Sequence, residues 1–78
     1  MKKLKDIKNY FKDTRLEKAF LKLLAYKKRY KMSLLVAFYN DNYISDTEMA
    51  LLSLFYNANS LDHLCELIDK DIQYILEG

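Results

Sequence analysis

The chain contains no proline, and its single glycine is the last residue, Gly78. Tight β-hairpin turns depend on glycine, whereas long helices form readily when neither glycine nor proline interrupts the chain. The sequence therefore predicts an all-α fold. Its 78 residues fit one helical domain, residues 1–78, built as a compact bundle of four to five short helices. A domain this small buries a modest core, so dimerisation is one way to complete the bundle.

The first helix boundaries follow from apolar spacing and capping residues. A short basic amphipathic helix is expected over residues 2–12. Thr14 and Glu17 have the spacing of a capping box, in which each side chain accepts from the other residue's backbone, so a second helix is expected to begin there. Ser33 favours a break near Met32, although an unbroken helix also fits the propensities.

Two further helices are predicted in the second half of the chain. A second capping box, Ser45 with Glu48, predicts a helix over 46–57. Ser60 is in position to cap a final helix that begins at Leu61. The chain therefore alternates helices with short polar turns.

Helical periodicity also predicts the core. The second helix is expected to bury Leu16, Ala19, Phe20, Leu23, Tyr26 and Tyr30. The final helix is expected to bury Leu61, Leu64, Cys65, Ile68, Ile72 and Ile75. Segments 34–39 and 49–56 are apolar on nearly every side, which predicts that some of their surface contacts another chain. A homodimer would cover it, and a monomer with a well-wrapped central helix also fits.

Charge is divided unequally along the chain. Residues 1–33 hold 12 of the 13 Lys and Arg against three acids, a net +9, and residues 34–78 hold one lysine against eight acids, a net −7. On the second helix Arg15, Lys18, Lys22 and Arg29 share one face, the basic stripe. On the final helix Asp62, Glu66 and Asp69 form an acidic stripe. The two stripes either neutralise each other or contact outside partners.

The residues that carry catalysis or bind metals do not form a recognisable site in this sequence. His63 and Cys65 are two positions apart, so on a helix they point about 200° away from each other and cannot share a metal or a proton. The acidic segment ending at Glu48 lacks the first ligands and the central glycine of an EF-hand loop. We therefore predict no catalytic residue, no cofactor and no metal, and expect a protein that is not an enzyme.

Three functions fit these patterns. The first is a small protein-binding regulator or inhibitor that docks a protein partner through the final helix, where Leu67 and Tyr74 are expected to be exposed beside the acidic stripe. The second is a nucleic-acid-binding regulatory protein, in which the basic stripe contacts phosphates and Tyr10, Tyr26 and Tyr30 stack on bases. The third is an immunity-type protein at a membrane face, acting through the helix at residues 2–12.

Composition suggests where such a protein acts. A lone cysteine cannot form an internal disulfide, and the longest apolar run is far shorter than a membrane span, so we expect a cytoplasmic protein. A membrane partner is not expected for the same reason. Usage rich in Lys, Tyr, Asn and Ile is typical of an AT-rich genome, such as that of a phage or plasmid.

Overall fold

The fold is a bundle of helices, as predicted. A computed structural model describes residues 10–39 and 43–77, and every regular element in these ranges is a helix. The bundle comprises α1 (Thr14–Tyr30), α2 (Leu34–Tyr39), α3 (Asp46–Tyr56) and α4 (Leu61–Glu77). Most of the helix predicted over residues 2–12 lies outside the described residues. Of that segment, Tyr10 and Phe11 are helical, and Lys12 has a left-handed backbone conformation (φ 59°).

The start of α1 differs from the prediction. Asp13 is the N-cap: its backbone is extended, and its Oδ1 accepts a hydrogen bond from the backbone N–H of Arg15 at 2.8 Å. Thr14 is the first helical residue, and the N–H of Glu17 donates to the carbonyl of Asp13 at 3.0 Å. The predicted capping box is therefore wrong. A carboxylate at this position also interacts favourably with the positive end of the helix dipole.

The remaining boundaries confirm the predictions. Helix α1 ends at Tyr30, because Lys31 is left-handed (φ 53°) and its N–H donates to the carbonyl of Lys27 at 2.9 Å. The break near Met32 follows, and the hydroxyl of Ser33 accepts from the first turn of α2.

The capping box at the start of α3 is complete. The Ser45 hydroxyl accepts from the N–H of Glu48 at 3.1 Å, and the Glu48 carboxylate accepts from the N–H of Ser45 at 3.0 Å. At the other end Asn57 takes the left-handed conformation (φ 54°) that ends α3. Asparagine tolerates this conformation better than most residues, so it replaces the glycine that the chain lacks here.

One apolar core joins the four helices. Helix α1 packs against α2 and α3, and α4 packs against the same two helices. The large side chains that are completely buried are Phe20, Leu23, Leu34, Leu52, Leu64, Ile68 and Ile72. Burial of this apolar surface is the main stabilising contribution to the bundle.

The predicted core residues are largely confirmed. All of the final-helix stripe is buried except Leu61, which packs half-buried against the core. Tyr30 was expected in the core but is 50% exposed, because it occupies the last position of α1, where it lies against Tyr26 at the edge of the bundle. Leu24 is buried in the core, although the helical wheel did not assign it to the core face of α1. No helix in the described residues has the length and apolar character needed to span a bilayer.

Candidate interaction surfaces

The basic stripe lies on the outer side of the α1–α3 junction. All four of its side chains are exposed. Lys22 pairs with Glu48 in the first turn of α3 at 2.9 Å, while Phe11, just before α1, packs against Phe55 near the end of α3 with ring centroids 5.1 Å apart. The two helices are therefore antiparallel, and from Arg15 to Lys22 the stripe runs beside α3 from its end toward its start.

Ion pairs neutralise part of the stripe. Lys22 is paired with Glu48, and Arg15 contacts Asp13 at 3.3 Å in a largely exposed pair that contributes little stability. Within residues 10–39 and 43–77, no ion pair involves Lys18 or Arg29. These two cations are the members of the stripe best placed to meet an outside anion.

The basic and acidic stripes do not pair with each other in the part of the chain that the structure describes. Asp69 is half-buried and pairs with Lys27 at 3.3 Å, which ties α1 to α4, but Lys27 is not a stripe residue. Asp62 and Glu66 are exposed. The charge division is therefore only partly cancelled inside the molecule.

Three tyrosines form a pocket beside the stripe. Tyr26, Tyr30, Met32 and Tyr43 line a cavity of about 310 Å³, the tyrosine pocket. The Tyr26 ring lies 5.0 Å from that of Tyr30 and 4.9 Å from that of Tyr43. Tyr26 is buried and Tyr30 is half-exposed, so a buried aromatic ring and a more open one face the same cavity.

The Arg29 side chain and the backbone of Lys22 border the tyrosine pocket. The Arg29 guanidinium lies over the Tyr30 ring, 5.5 Å from its centroid, as a cation–π contact. The Tyr43 hydroxyl donates to the backbone carbonyl of Lys22, which holds Tyr43 against α1. Burial raises the pKa of Tyr43 above its ordinary value, and the neighbouring tyrosines raise it further, so this hydroxyl stays protonated at neutral pH.

A second surface is apolar and lies on α3. Leu54 is 81% exposed, and the neighbouring Phe55 and Tyr10 are also exposed, with their rings 5.5 Å apart. We call Tyr10, Leu54 and Phe55 the apolar patch. Leu51, one turn before this patch, is half-buried. The described part of the chain thus leaves the outer side of α3 uncovered.

The docking face predicted on α4 differs from expectation at one residue. Tyr74 is 50% exposed, but Leu67 is half-buried. Asp71 lies between them on the same flank and accepts a hydrogen bond from the Tyr56 hydroxyl at 2.7 Å, so this flank of α4 faces α3. Tyr74 does border an open groove of about 480 Å³, whose described lining also includes Glu66, Asp69, Lys70, Gln73 and Glu77.

His63 takes part in a hydrogen bond within the α3–α4 turn, and Cys65 is part of the core. The Nδ1 of His63 accepts from the backbone N–H of Asn59 at 3.0 Å, which joins the α3–α4 turn to α4. Cys65 is buried, and burial raises the pKa of its thiol to about 11. In residues 10–39 and 43–77 no group of three or more His, Cys, Asp or Glu side chains is placed to hold a metal ion.

Two residues outside the predicted set, Tyr43 and Met32, complete the tyrosine pocket. Leu54, which dominates the apolar patch, was not singled out, although it lies in the segment 49–56 whose surface was predicted to contact another chain. The signal for Tyr43 is an aromatic residue directly after the polar run 40–42, and for Leu54 it is an apolar residue on the side of α3 opposite Leu52.

These features define a small all-α bundle with a basic and aromatic surface next to an apolar one. Comparison with protein families, with curated proteins and with solved structures finds no match to this chain. Its function must be inferred from its own residues.

Proposed function

We propose that this protein is a small non-enzymatic regulator or inhibitor that binds a protein partner through the apolar patch. The observation that carries the proposal is the exposure of Leu54. Its neighbour in sequence, Phe55, is also exposed, and the Phe55 ring lies 5.5 Å from that of the exposed Tyr10. An exposed cluster of large apolar side chains on a small domain is typical of an interaction site. Aromatic side chains such as those of Tyr10 and Phe55 are enriched at the buried centre of protein interfaces.

The basic charge on α1 indicates the chemistry of the proposed partner. The basic stripe runs along the same helix pair, and Lys18 forms no ion pair among the described residues. A partner segment with apolar side chains flanked by carboxylates would match both features. Opposite charges across such an interface raise the association rate and help to select the correct partner.

The α4 face stays a second predicted docking surface for the same function. Tyr74, Asp62 and Glu66 are exposed there, whereas Leu67 is half-buried and Asp69 is paired with Lys27. The patch on α3 is therefore the better supported of the two. We place the protein in a reducing cytoplasm, in keeping with its single buried cysteine. The composition suggests that the gene belongs to a phage or plasmid with an AT-rich genome.

A pull-down with matched variants tests this proposal. The full chain serves as bait in a nuclease-treated host lysate, alongside Leu54→Ser, Tyr74→Ala and Leu76→Ser. Leu76 is the control, because it is an exposed leucine on α4, away from the patch. We expect a captured protein whose yield falls with Leu54→Ser and is unchanged with Leu76→Ser. Capture lost only with Tyr74→Ala would move the docking surface to α4, and capture unaffected by all three variants would contradict docking through either face.

A second candidate function is nucleic-acid binding through the basic stripe. The observation that favours it is the tyrosine pocket, which sets an aromatic ring beside the Arg29 guanidinium at one end of the stripe. The logarithm of the binding constant should fall linearly with the logarithm of salt concentration, and the slope should shrink by about one for each phosphate contact removed. A Lys18→Ala, Lys22→Ala, Arg29→Ala variant that binds as tightly as the parent chain would eliminate this function.

The membrane-face proposal depends on residues 2–12, which lie mostly outside the described residues. Binding there would require attraction between a basic amphipathic helix and anionic lipid. Liposome flotation with and without anionic lipid tests it, and equal flotation in both would exclude it.

A further inference from the structure

The tyrosine pocket is not used by the protein-docking proposal, and its construction suggests a ligand of its own. Its volume of about 310 Å³ is at the lower end of the range for small-molecule sites, so it suits a single planar ring system. The lining residues that the structure describes are aromatic except for Met32, and none of these four residues carries a carboxylate. Methionine sulfur also makes favourable contacts with aromatic rings.

The surroundings of the pocket favour a ligand in which a planar ring is attached to negatively charged groups. Lys22 precedes Tyr26 by one helical turn, and Arg29 stacks on Tyr30. A planar group in the pocket would therefore have the Arg29 cation beside it, whereas the Lys22 ammonium is paired with Glu48. Bases attached to a phosphate backbone combine a planar ring with flanking anions in this way.

We propose that the tyrosine pocket binds one unpaired base of a single-stranded nucleic acid whose phosphates lie along the basic stripe. This inference rests on the second proposed function and adds a defined base site to it. A duplex cannot use the pocket, because its bases are stacked and paired and their faces are not available to tyrosine.

The length of the stripe sets the size of the site. From Arg15 to Arg29 the helix rises about 21 Å. At about 3.4 Å per nucleotide of a stacked strand, this distance corresponds to about six nucleotides. The pocket lies at the Arg29 end, so the bound base is expected near one terminus of the contacted segment.

The experiment compares two labelled oligonucleotides of about eight nucleotides by fluorescence anisotropy. One is oligothymidine, and the other has the same backbone and charge but abasic sites. The full chain is tested with Tyr30→Leu, Tyr30→Phe and Tyr39→Leu. Tyr39 is the matched control, because it is an exposed tyrosine on α2 that does not belong to the tyrosine pocket.

We expect the parent chain to prefer the oligothymidine. Tyr30→Leu should weaken that binding about 5- to 150-fold, because a base–aromatic stack contributes about 1–3 kcal/mol. It should leave binding of the abasic strand unchanged. Tyr30→Phe keeps the ring and should retain the preference, and Tyr39→Leu should change neither affinity.

Other outcomes overturn the inference in distinguishable ways. If both strands bind equally well, and Tyr30→Leu affects neither, the base site is wrong while binding through the stripe stands. If neither strand binds, nucleic-acid binding itself is wrong. If a tyrosine-containing acidic peptide binds in a Tyr30-dependent manner and the oligonucleotides do not, the pocket belongs to a protein partner.

Discussion

Two leucines on α3 have opposite environments, which gives a sharp test of the packing. Leu52 is completely buried and Leu54 is 81% exposed, although they are only two positions apart. Replacing a buried leucine by alanine costs about 2–5 kcal/mol, because apolar contacts are lost and a cavity remains. A domain of this length has a total free energy of unfolding of about 4–12 kcal/mol. Leu52→Ala should therefore remove a large part of the stability, and Leu54→Ala should change it by less than about 0.5 kcal/mol.

Urea unfolding followed by far-ultraviolet circular dichroism measures both changes. With a slope of about 1 kcal/mol per molar urea for a small domain, Leu52→Ala should lower the midpoint by about 2 M or leave the chain unfolded in water. Ile68→Val is a milder probe of the same core, with an expected cost of about 0.5–1.5 kcal/mol. A Leu52→Ala cost below about 1 kcal/mol would refute the packing described for α3.

The same experiment detects self-association through the apolar patch. If Leu54→Ala cost more than about 1 kcal/mol, its side chain would be buried in solution by something outside the described contacts. Repeating the measurement at two protein concentrations would identify a second copy as the cause, because only association makes the midpoint depend on concentration.

Three further predictions concern single groups. Ser45→Ala should lower the free energy of unfolding in urea by about 0.5–2 kcal/mol, because it removes the N-cap of α3. Thr47→Ala, inside the same first turn, should lower it by less, and equal losses would contradict the capping role. Partial burial tends to raise the pKa of Glu48, but hydrogen bonds from Ser45 and the Lys22 ammonium lower it below its ordinary value of 4.5. Its contribution to stability is therefore complete above that value and is lost as the pH falls through the folded-state pKa, so an acid titration of the urea midpoint should be flatter for Glu48→Gln than for the parent chain. Burial and two nearby carboxylates raise the pKa of the Cys65 thiol to about 11. A thiol reagent at neutral pH should therefore modify Cys65 slowly in the folded chain and rapidly in urea. Equally fast modification in both conditions would place the thiol at the surface.

Local chemistry was sufficient to predict most helix ends. Ser45 with Glu48 and the break near Met32 depend on neighbouring residues only, and both were correct. The predicted N-cap of α1 was wrong because Asp13 and Thr14 are adjacent and both are good capping residues. Which of them caps the helix depends on the path of the backbone into it.

Features that depend on tertiary structure could not be predicted in the same way. The helical wheel placed Tyr30 with the core, but a wheel does not show where a helix extends beyond its neighbours. The Lys22–Glu48 and Lys27–Asp69 pairs join residues far apart in sequence, and their partners become neighbours only after the helices pack. The tyrosine pocket could not be predicted because it includes Tyr43, a residue between α2 and α3 whose position is set by its hydrogen bond to α1.

The left-handed backbone at Lys12, Lys31 and Asn57 has a consequence for how this sequence can change over time. A side chain with a Cβ pays about 1–2 kcal/mol in this conformation, and a β-branched residue pays more. Mutation to glycine or asparagine at Lys12 or Lys31 would relieve that strain, while valine or isoleucine would be selected against. Divergent copies of this gene should therefore accept glycine and asparagine at these three positions more readily than β-branched residues.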